Sequence, residues 1–368
     1  MPHTNLETIA RDVARVTAAE KVPAAELAAL VKEMFLACGV SAEHAAFAAD
    51  SAMYATLRGV TSHGAVHMPL YLTGLLDGTI KNTPNFVWSG DYQVSRVLDA
   101  DNGLGLVASR VALDKAMEIA RAYGVGSVAV RNSSHFGAAG YYAELAARQN
   151  LIAIASCNAS PALAPTGGKE PLLGTNPIAA GFPVPGSDPI VIDMATTIVA
   201  RSRIRLAKSL GESIPADWAF DADGNPTTDP SRAVEGTLQP IGGPKGYGLS
   251  LMVELLCSAL SDGLPGFEVN YENIVKRPSR ISHFFLVLDP RGFAGLARYG
   301  TRAEHIASVI NETKRIDQNV APRLPGARGH EVRKDYQKAG IAMGEGLRRA
   351  LTDASKLLAD RMPQKWAP

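Results

Sequence analysis

The sequence predicts an α/β protein in which helices from both chain ends flank a central mixed sheet. Apolar residues recur at helical spacing near both ends of the chain. The middle instead alternates short β-branched or apolar runs with Gly, Pro and Asn, a pattern typical of strands and turns. A length of 368 residues favours two or three compact units over a single core.

Three amphipathic segments near the N-terminus predict helices. The first covers residues 27–35 and ends at Gly39, a residue type suited to helix C-termini. The second covers residues 42–57 and follows Ser41, whose hydroxyl oxygen can cap a helix N-terminus. The third, residues 68–76, ends at an Asp-Gly pair.

The middle of the chain predicts five strands and two long helices. The predicted strands are residues 93–98, 127–130, 151–156, 189–193 and 283–288. The predicted helices are residues 106–123 and 249–260. We therefore predict a helical domain of residues 1–78 with 300–368, a sheet domain of residues 79–206 with 238–299, and a small excursion at 207–237.

Composition narrows the class of protein. The formal net charge is +1 and the basic residues are scattered, so no nucleic-acid partner is predicted. The chain has neither a visible signal peptide nor an uninterrupted apolar run of about 18 residues, so a soluble, cytoplasmic protein without membrane contact is predicted. Cys38, Cys157 and Cys257 stand alone, which favours a reducing compartment.

Two histidine motifs carry most of the chemical information. One is Arg58-Gly-Val-Thr-Ser-His-Gly64 and the other is Asn132-Ser-Ser-His-Phe-Gly-Ala138. Each places an imidazole, which exchanges protons near neutral pH, beside a hydroxyl group and a glycine. We expect His63 and His135 to meet in one active site assembled from separate parts of the chain.

The segment Asp101-Asn-Gly-Leu-Gly-Leu-Val-Ala108 loosely matches a dinucleotide-binding glycine loop between a strand and a helix. The acidic residue expected about twenty positions later is missing, because the next strand runs into Arg131 and Asn132. We interpret these glycines as packing residues of a strand–turn–helix unit.

A metal site is the main alternative for the histidines. His63 and His67 are four residues apart, so on a helix both would project from one face, as zinc ligands do. Asp193 or His135 could supply a third ligand through tertiary contact. The alternative function is a metal-dependent hydrolase or lyase that uses His63, His67 and Asp193.

Three further segments favour an anionic ligand. Gly242-Gly-Pro-Lys-Gly-Tyr-Gly248 precedes a predicted helix. Its glycines let a ligand approach the backbone closely, and the helix N-terminus and the Lys245 charge both attract an anion. Gly174-Thr-Asn-Pro177 could hold a phosphate or an amide, or could simply be a turn. Arg201 follows a predicted strand, and its guanidinium suits a carboxylate.

Together and in this order, the segments resemble the malate/L-lactate dehydrogenase family of the second type. The resemblance spans residues 58–69, 132–142, 174–177, 192–201, 211–230, 242–254 and 325–331. It implies a non-Rossmann domain that binds NAD or NADP on a mostly antiparallel sheet, with a helical domain from both chain ends. It also implies a homodimer and hydride transfer between the cofactor and C2 of a small 2-oxo or 2-hydroxy acid.

The resemblance assigns roles by matching position. Ser62, His63 and His135 become the catalytic residues, and His67, Arg201 and Arg58 the substrate-binding residues. The implied cofactor-binding residues are His135, Phe136, Gly137, Ala138, Ala139, Thr175, Asn176, Ile192, Asp193, Met194, Pro244, Lys245, Gly329, His330 and Glu331. No resident metal is implied.

The chain departs from the family pattern at two positions. His67 stands where the family usually has an arginine, and Arg203 stands where some relatives have an aspartate. These departures put in question the proton relay and the usual preference for small dicarboxylates or keto acids. NAD is favoured over NADP because Asp193 near a ribose would disfavour a 2′-phosphate, although nearby arginines could reverse this.

Overall fold

The computed structural model describes residues 6–270 and 276–365; the parts of the predicted domains at 1–5, 271–275 and 366–368 lie outside it. The N-terminal part contains α1 (Leu6–Ala18), β1 (Lys21–Val22), α2 (Ala24–Ala37), α3 (Ala42–Leu57) and α4 (Met68–Asp77). The middle contains β2 (Val87–Ser89), β3 (Ser95–Asp99), α5 (Gly105–Tyr123), β4 (Val125–Ser133), α6 (Ala139–Ala147), β5 (Ile152–Cys157), β6 (Ile178–Phe182) and β7 (Ile190–Met194). The remainder contains α7 (Arg201–Leu210), β8 (Ala219–Phe220), α8 (Pro230–Glu235), β9 (Thr237–Leu238), α9 (Pro244–Glu254), β10 (Ile281–Leu288), α10 (Leu296–Glu312), α11 (Ala327–Ala339), β11 (Ile341–Ala342) and α12 (Glu345–Lys365).

Within the described residues, the central sheet has seven strands in the order β2-β3-β4-β10-β5-β6-β7. Only β3 and β4 pair in parallel, and helix α5 connects them. The other neighbouring pairs are antiparallel. The predicted α/β class and the mostly antiparallel sheet therefore agree with the structure. All five predicted strands are present, whereas β2 and β6 were not predicted.

Helices cover both faces of the sheet, as alternation along β4 illustrates. Val128 and Val130 pack with α5 and α6 in one apolar core. Ala129, between them, faces the opposite side and packs with Val253 of α9 and with Cys257. Successive strand residues point to opposite faces, so a strand buried on both sides is apolar throughout.

A separate helical core joins the two ends of the chain. Its buried residues come from α1 to α4, the start of α5, and α12. Ser41 caps α3 as predicted, because its Oγ atom accepts a hydrogen bond from the His44 backbone N–H at 3.2 Å. The division into domains at residues 78/79 and 299/300 stays a prediction, since side chains of α5 enter both cores.

Two local predictions are refined. The predicted helix 249–260 begins earlier, at Pro244, and its α-helical part ends at Glu254, where a π-helical turn spans Leu255–Ala259. The predicted excursion 207–237 overlaps the end of α7 and contains β8 and α8, which pack around Ala219 and Ala233.

The glycines of the loosely matched dinucleotide motif serve packing, as predicted. A Cβ atom on Gly105 would lie 2.1 Å from the Ser134 carbonyl oxygen, so only glycine lets α5 start this close to the His135 loop. The Gly105 backbone N–H also donates to Ser134 Oγ at 2.9 Å. Among the described helices, none is long and apolar enough to span a bilayer.

Candidate active site

The two histidine motifs meet through three imidazole rings. The ring centroids of His63 and His135 are 5.6 Å apart. His67 completes the group, 5.6 Å from His63 and 5.1 Å from His135, with all three rings within 22° of parallel. We call His63, His67 and His135 the histidine cluster. The predicted convergence of the two motifs is therefore present.

Local turns position His63 and His67 after α3. Gly64 has a φ of 95°, which a side chain would strain, and its Cβ would collide with the α3 backbone. The next residue, Ala65, donates its backbone N–H to Thr56 Oγ1 at 2.9 Å. Ser62 Oγ lies 3.0 Å from His63 Nδ1, the pairing predicted for the catalytic serine and histidine.

His135 lies in the loop between β4 and α6 and is held by Tyr71. The Tyr71 hydroxyl is 2.9 Å from His135 Nδ1, and the Gly137 backbone N–H donates to the same nitrogen at 3.4 Å. A nitrogen that accepts from the backbone carries no proton, so this geometry assigns the ring proton to Nε2. His135 therefore presents a neutral imidazole that can donate from Nε2.

The cluster lies in a crevice, because its three side chains are partly open to solvent yet surrounded by protein. Burial and, secondly, His67 lower the pKa of His63 to about 4. Burial also lowers the pKa of His67. For His135, burial and then the neighbouring histidines hold the pKa well below its ordinary value. All three rings are thus neutral at pH 7.

Asp193, near the end of β7, contacts the start of the helix that follows the His135 loop. Its Oδ2 atom accepts a hydrogen bond at 2.9 Å from the backbone N–H of Gly140, in the first turn of α6. The side chain is exposed at the end of β7, yet burial of its carboxyl group among protein atoms raises the pKa of Asp193. A Cβ atom on Gly140 would lie 3.0 Å from the Tyr54 hydroxyl, so Tyr54 lines the same place.

Arg58 lies in a buried ion-pair network. Its guanidinium donates to Glu144 Oε2 at 2.6 Å and to the Gly326 carbonyl at 3.0 Å, and Nη1 lies 3.0 Å from His330 Nδ1. Glu144 also binds Arg148 and Arg333. Protein groups already engage the Arg58 guanidinium, and its predicted contact with substrate stays a prediction.

The predicted cofactor residues of the C-terminal segment lie around Arg58. A Cβ atom on Gly329 would be 2.7 Å from Arg58 Nε. His330 Nε2 lies 3.0 Å from the Pro189 carbonyl oxygen, just before β7. Glu331 is exposed and pairs with Arg323 at 3.1 Å. This segment thus joins α11 to α3 and β7.

Thr175 and Asn176 adjoin another buried network. Asn176 Nδ2 donates to Glu254 Oε2 and to the Ser250 carbonyl, both at 3.0 Å. Glu254 Oε1 accepts from Asn158 at 3.0 Å and from the Gly266 backbone N–H at 2.7 Å. The Thr175 carbonyl accepts from the Thr196 backbone N–H at 3.0 Å. The Asn176 amide therefore anchors α9 to the sheet.

Arg201 and Lys245 lie in the first turns of two helices beyond the end of β7. Arg201 is the first residue of α7, whose buried residues join the small core around Ala219. Lys245 is exposed in the first turn of α9, after Gly242 and Gly243, both with positive φ. Ile241 N–H donates to the Thr196 carbonyl, so this loop runs beside the segment that links β7 to α7.

The remaining predicted cofactor residues flank the cluster or lie along β7. Phe136 is buried and stacks on His283 with centroids 4.9 Å apart. Ala138 and Ala139 are buried at the start of α6. Ile192 is partly buried and Met194 is exposed. Pro244 is exposed and opens α9.

The metal alternative gains no support from the geometry. Across residues 6–270 and 276–365, no three His, Cys, Asp or Glu side chains form a group that could hold a metal ion. Asp193 caps the first turn of α6, and the Nδ1 atoms of His63 and His135 pair with hydroxyl groups. His63, His67 and Asp193 are therefore not arranged as a ligand set.

Sequence reasoning missed several residues that build the site. Tyr71 lies on the predicted helix 68–76, four residues after His67. Residues four apart share a helix face, and this spacing could have indicated that Tyr71 lies near the histidines. Glu144, Glu254 and Asn158 are buried polar residues whose partners are distant in sequence. Nothing in the local pattern identifies such partners.

Known proteins resemble the chain along most of its length. Residues 22–352 match the family model described as malate/L-lactate dehydrogenase. The sulfolactate dehydrogenase structure from Methanocaldococcus jannaschii superimposes with a TM-score of 0.85 at 34% identity, covering 94% of this chain and 99% of that one.

Two curated relatives differ in cofactor. The (2R)-3-sulfolactate dehydrogenase (NADP(+)) of Chromohalobacter salexigens is 39% identical, with 81% of this chain and 87% of the relative covered. The ureidoglycolate dehydrogenase (NAD(+)) of Escherichia coli O157:H7 is 33% identical, with 86% and 94% covered. These relatives are all named as dehydrogenases, and this chain shares their fold class along most of its length. The chain belongs to the malate/L-lactate dehydrogenase family.

Proposed function

We propose that the chain is an NAD(P)-dependent oxidoreductase that transfers a hydride between the cofactor and C2 of a 2-oxo or 2-hydroxy acid. The observation that carries the proposal is the Ser62–His63 pair, 3.0 Å apart, beside His135 in a partly open crevice. This is an acid–base group with a fixed orientation next to a second hydrogen-bond donor. Family membership supports the same chemistry.

His63 exchanges the proton at the substrate oxygen. In oxidation, its neutral imidazole accepts the hydroxyl proton at Nε2 while Ser62 holds Nδ1. In reduction, the protonated ring donates to the carbonyl oxygen. With its pKa lowered to about 4, the free site favours the base form, and an anionic substrate nearby favours the protonated form.

His135 orients the substrate through hydrogen bonding. Tyr71 and the Gly137 N–H both engage its Nδ1 atom, so the ring proton is on Nε2. A neutral imidazole held this way donates to a substrate oxygen without competing for its proton. We assign the carboxylate of the substrate to Arg201, whose guanidinium suits it, and we assign Arg58 to positioning.

The residues around α9 and β7 fit a dinucleotide. A Cβ atom built on Gly243 would meet nothing within 4 Å, so a ligand has room to approach the backbone there. The N-terminus of α9 and the exposed Lys245 favour the negative charge of a pyrophosphate. When bound, the nicotinamide supplies the hydride acceptor or donor. Asp193 is suited to ribose hydroxyl groups, and we therefore favour NAD over NADP.

The test is a panel of 2-oxo acids assayed with NADH and with NADPH. Oxidation of either cofactor that depends on a 2-oxo acid, and that is lost in His63→Ala, supports the proposal. Absence of turnover across a panel that includes 3-sulfo, ureido and dicarboxylate compounds would sink it. Comparison of kcat/KM for the two cofactors decides between NAD and NADP.

We extend the proposal to a homodimer, because large apolar surfaces are left uncovered. On α10, Ile306, Val309 and Ile310 are 49%, 55% and 40% exposed. A groove of about 700 Å³ beside α10 is lined by Phe293 and Tyr299 and contains none of the predicted site residues. Contiguous apolar surface of this kind favours a protein partner. Light scattering coupled to size exclusion should give twice the chain mass.

A further inference from the structure

His67 is the cluster member with an unsatisfied nitrogen. Its Nδ1 atom is buried and, among the described residues, has no hydrogen-bond partner. The corresponding atoms of His63 and His135 pair with Ser62 and Tyr71. A buried polar atom without a partner costs free energy until water or a ligand satisfies it. An imidazolium has an N–H at both nitrogens, so protonation of His67 in the free site would leave a buried Nδ1–H without an acceptor. His67 is therefore neutral in the free site, and only a bound anion beside the ring can offset the cost of charging it.

Among the described residues, the rings that face His67 are His63, His135 and, at 6.4 Å between ring centroids, Tyr71. The two imidazoles are neutral at pH 7. His283 stacks on Phe136, the residue that follows His135 in sequence, and burial lowers the pKa of His283 to about 3. Among the residues that the structure describes, the rings around His67 therefore supply no fixed positive charge.

The helices packed against the Ala65–His67 turn are α3, α4 and α12, and the charged side chains that the structure describes on them either pair with other groups or are exposed to solvent. On α3 and α4, Arg58 binds Glu144, Asp50 accepts from the Tyr141 hydroxyl, and Asp77 pairs with Arg361 of α12. On α12, Arg348 binds the Thr17 carbonyl, and Glu345, Arg349, Asp353, Lys356 and Asp360 are exposed. Glu43 and His44 lie at the far end of α3.

Resting on the proposed function, we propose that His67 makes the charge preference of the site depend on pH. A 2-oxo acid with an uncharged tail binds to the neutral cluster. A 2-oxo acid with a second carboxylate binds together with one extra proton, which His67 takes up from solvent.

The physical reason is the cost of an uncompensated charge. A carboxylate that leaves water for a crevice needs a counter-charge, and three neutral imidazoles supply one only by binding a proton. The first protonated ring opposes protonation of the rings 5.1 and 5.6 Å away, so one proton accompanies one anion. An arginine at this position would carry a permanent charge instead.

The direction of the pH dependence follows from proton uptake. A complex that needs one more proton than the free site becomes less favourable as pH rises, by up to about tenfold per pH unit. The preference for the dicarboxylate is therefore highest at acid pH. It declines towards alkaline pH, where the cluster stays neutral.

The test compares two four-carbon substrates, oxaloacetate and 2-oxobutanoate, which differ by a terminal carboxylate in place of a methyl group. The ratio of their kcat/KM values cancels every pH effect common to both, including that of His63. For the natural sequence, we expect the ratio to fall up to about tenfold per unit between about pH 6 and pH 8. A ratio that stays constant with pH overturns the inference without any variant.

Substitutions show which residue causes the pH dependence of the ratio. His67→Asn should abolish the pH dependence of the ratio, and His67→Arg should give a high ratio at every pH. His44→Asn is the matched control, because burial also lowers the pKa of His44 and it lies at the opposite end of α3. It should behave like the natural sequence. If the ratio for His67→Asn still falls as pH rises, His67 is not the site of proton uptake.

The outcomes separate the two proposals. If neither acid is reduced and the wider panel also fails, the proposed function and this inference fall together. If acids are reduced but the ratio ignores pH, the oxidoreductase stands and only the role of His67 is wrong. Circular dichroism confirms that each variant is folded before its ratio is interpreted.

Discussion

Arg58 Nη1 lies 2.6 Å from Glu144 Oε2, and both side chains are almost completely buried. This pair connects the end of α3, which leads into the His63 turn, with α6, which follows His135. Arg58 also reaches the Gly326 carbonyl and His330, so three separate parts of the chain meet at one guanidinium. The pair therefore fixes the two histidine motifs relative to each other.

Removing one member of this pair should destabilise the fold strongly. Arg58→Ala leaves the Glu144 carboxylate buried without its principal partner, and the expected loss is about 3–5 kcal/mol of unfolding free energy. Urea denaturation measures it. Lys115→Ala, which removes an exposed pair with Glu118, is the control and should change stability far less. Equal effects of the two substitutions would show that the buried network is not specially important.

His63→Ala should lower kcat by about 10²–10⁴-fold while leaving cofactor affinity nearly unchanged. In oxidation the His63 imidazole accepts a proton. It can do so only when neutral, which means above its pKa of about 4. The profile of kcat/KM for oxidation of a 2-hydroxy acid with an uncharged tail should thus show no inflection near 6.5 from His63. An acid limb centred near 6.5 that His63→Ala removes would contradict the assignment. If His135→Ala abolishes turnover while His63→Ala keeps it, the two roles are reversed.

Tyr71→Phe removes the hydroxyl group that pairs with His135 Nδ1. The His135 side chain should then be held less firmly in its orientation. Loss of one such hydrogen bond is worth about 0.5–1.5 kcal/mol, so we expect roughly a two- to tenfold decrease in kcat/KM. The decrease should appear with every active 2-oxo acid. Tyr92→Phe, at a side chain that is 78% exposed, is the matched control. A decrease confined to unfolding free energy, with unaltered kinetics, would make Tyr71 a packing residue only.

Lys245→Ala should weaken NADH and NADPH binding by about tenfold or more, because it removes a cation at the N-terminus of α9. Fluorescence titration with each reduced cofactor measures the affinity. Lys208→Ala, at the far end of α7, should leave it unaltered. Unchanged affinity in Lys245→Ala rules out this loop as a pyrophosphate site.

Gly105→Ala tests the packing role of the loosely matched dinucleotide motif. Its Cβ would be placed 2.1 Å from the Ser134 carbonyl oxygen, and overpacking of this kind costs about 1–3 kcal/mol or more. Gly346→Ala, in the first turn of α12 with open space around it, should be stabilising or neutral. Should Gly105→Ala leave stability intact and impair only cofactor binding, the packing interpretation fails.

Much of the fold follows from local pattern. The helical spacing before Gly39, the cap at Ser41 and the five apolar runs predict elements that are present. Strand β6, Ile178–Phe182, was missed because its small residues lack the β-branched signal. The π-helical turn after Glu254 was also missed, since its sequence continues an ordinary apolar helix.

The sequence by itself determined which residue types are available for chemistry: two histidines beside hydroxyl groups and glycines, and a lysine before a helix. Only the tertiary structure decided that the Tyr71 hydroxyl and the Gly137 N–H meet at His135 Nδ1, and that the Arg58 guanidinium binds Glu144. The physical reason is distance along the chain. Arg58 and Glu144 are 86 positions apart. No local pattern encodes a contact that the packing of whole helices brings about.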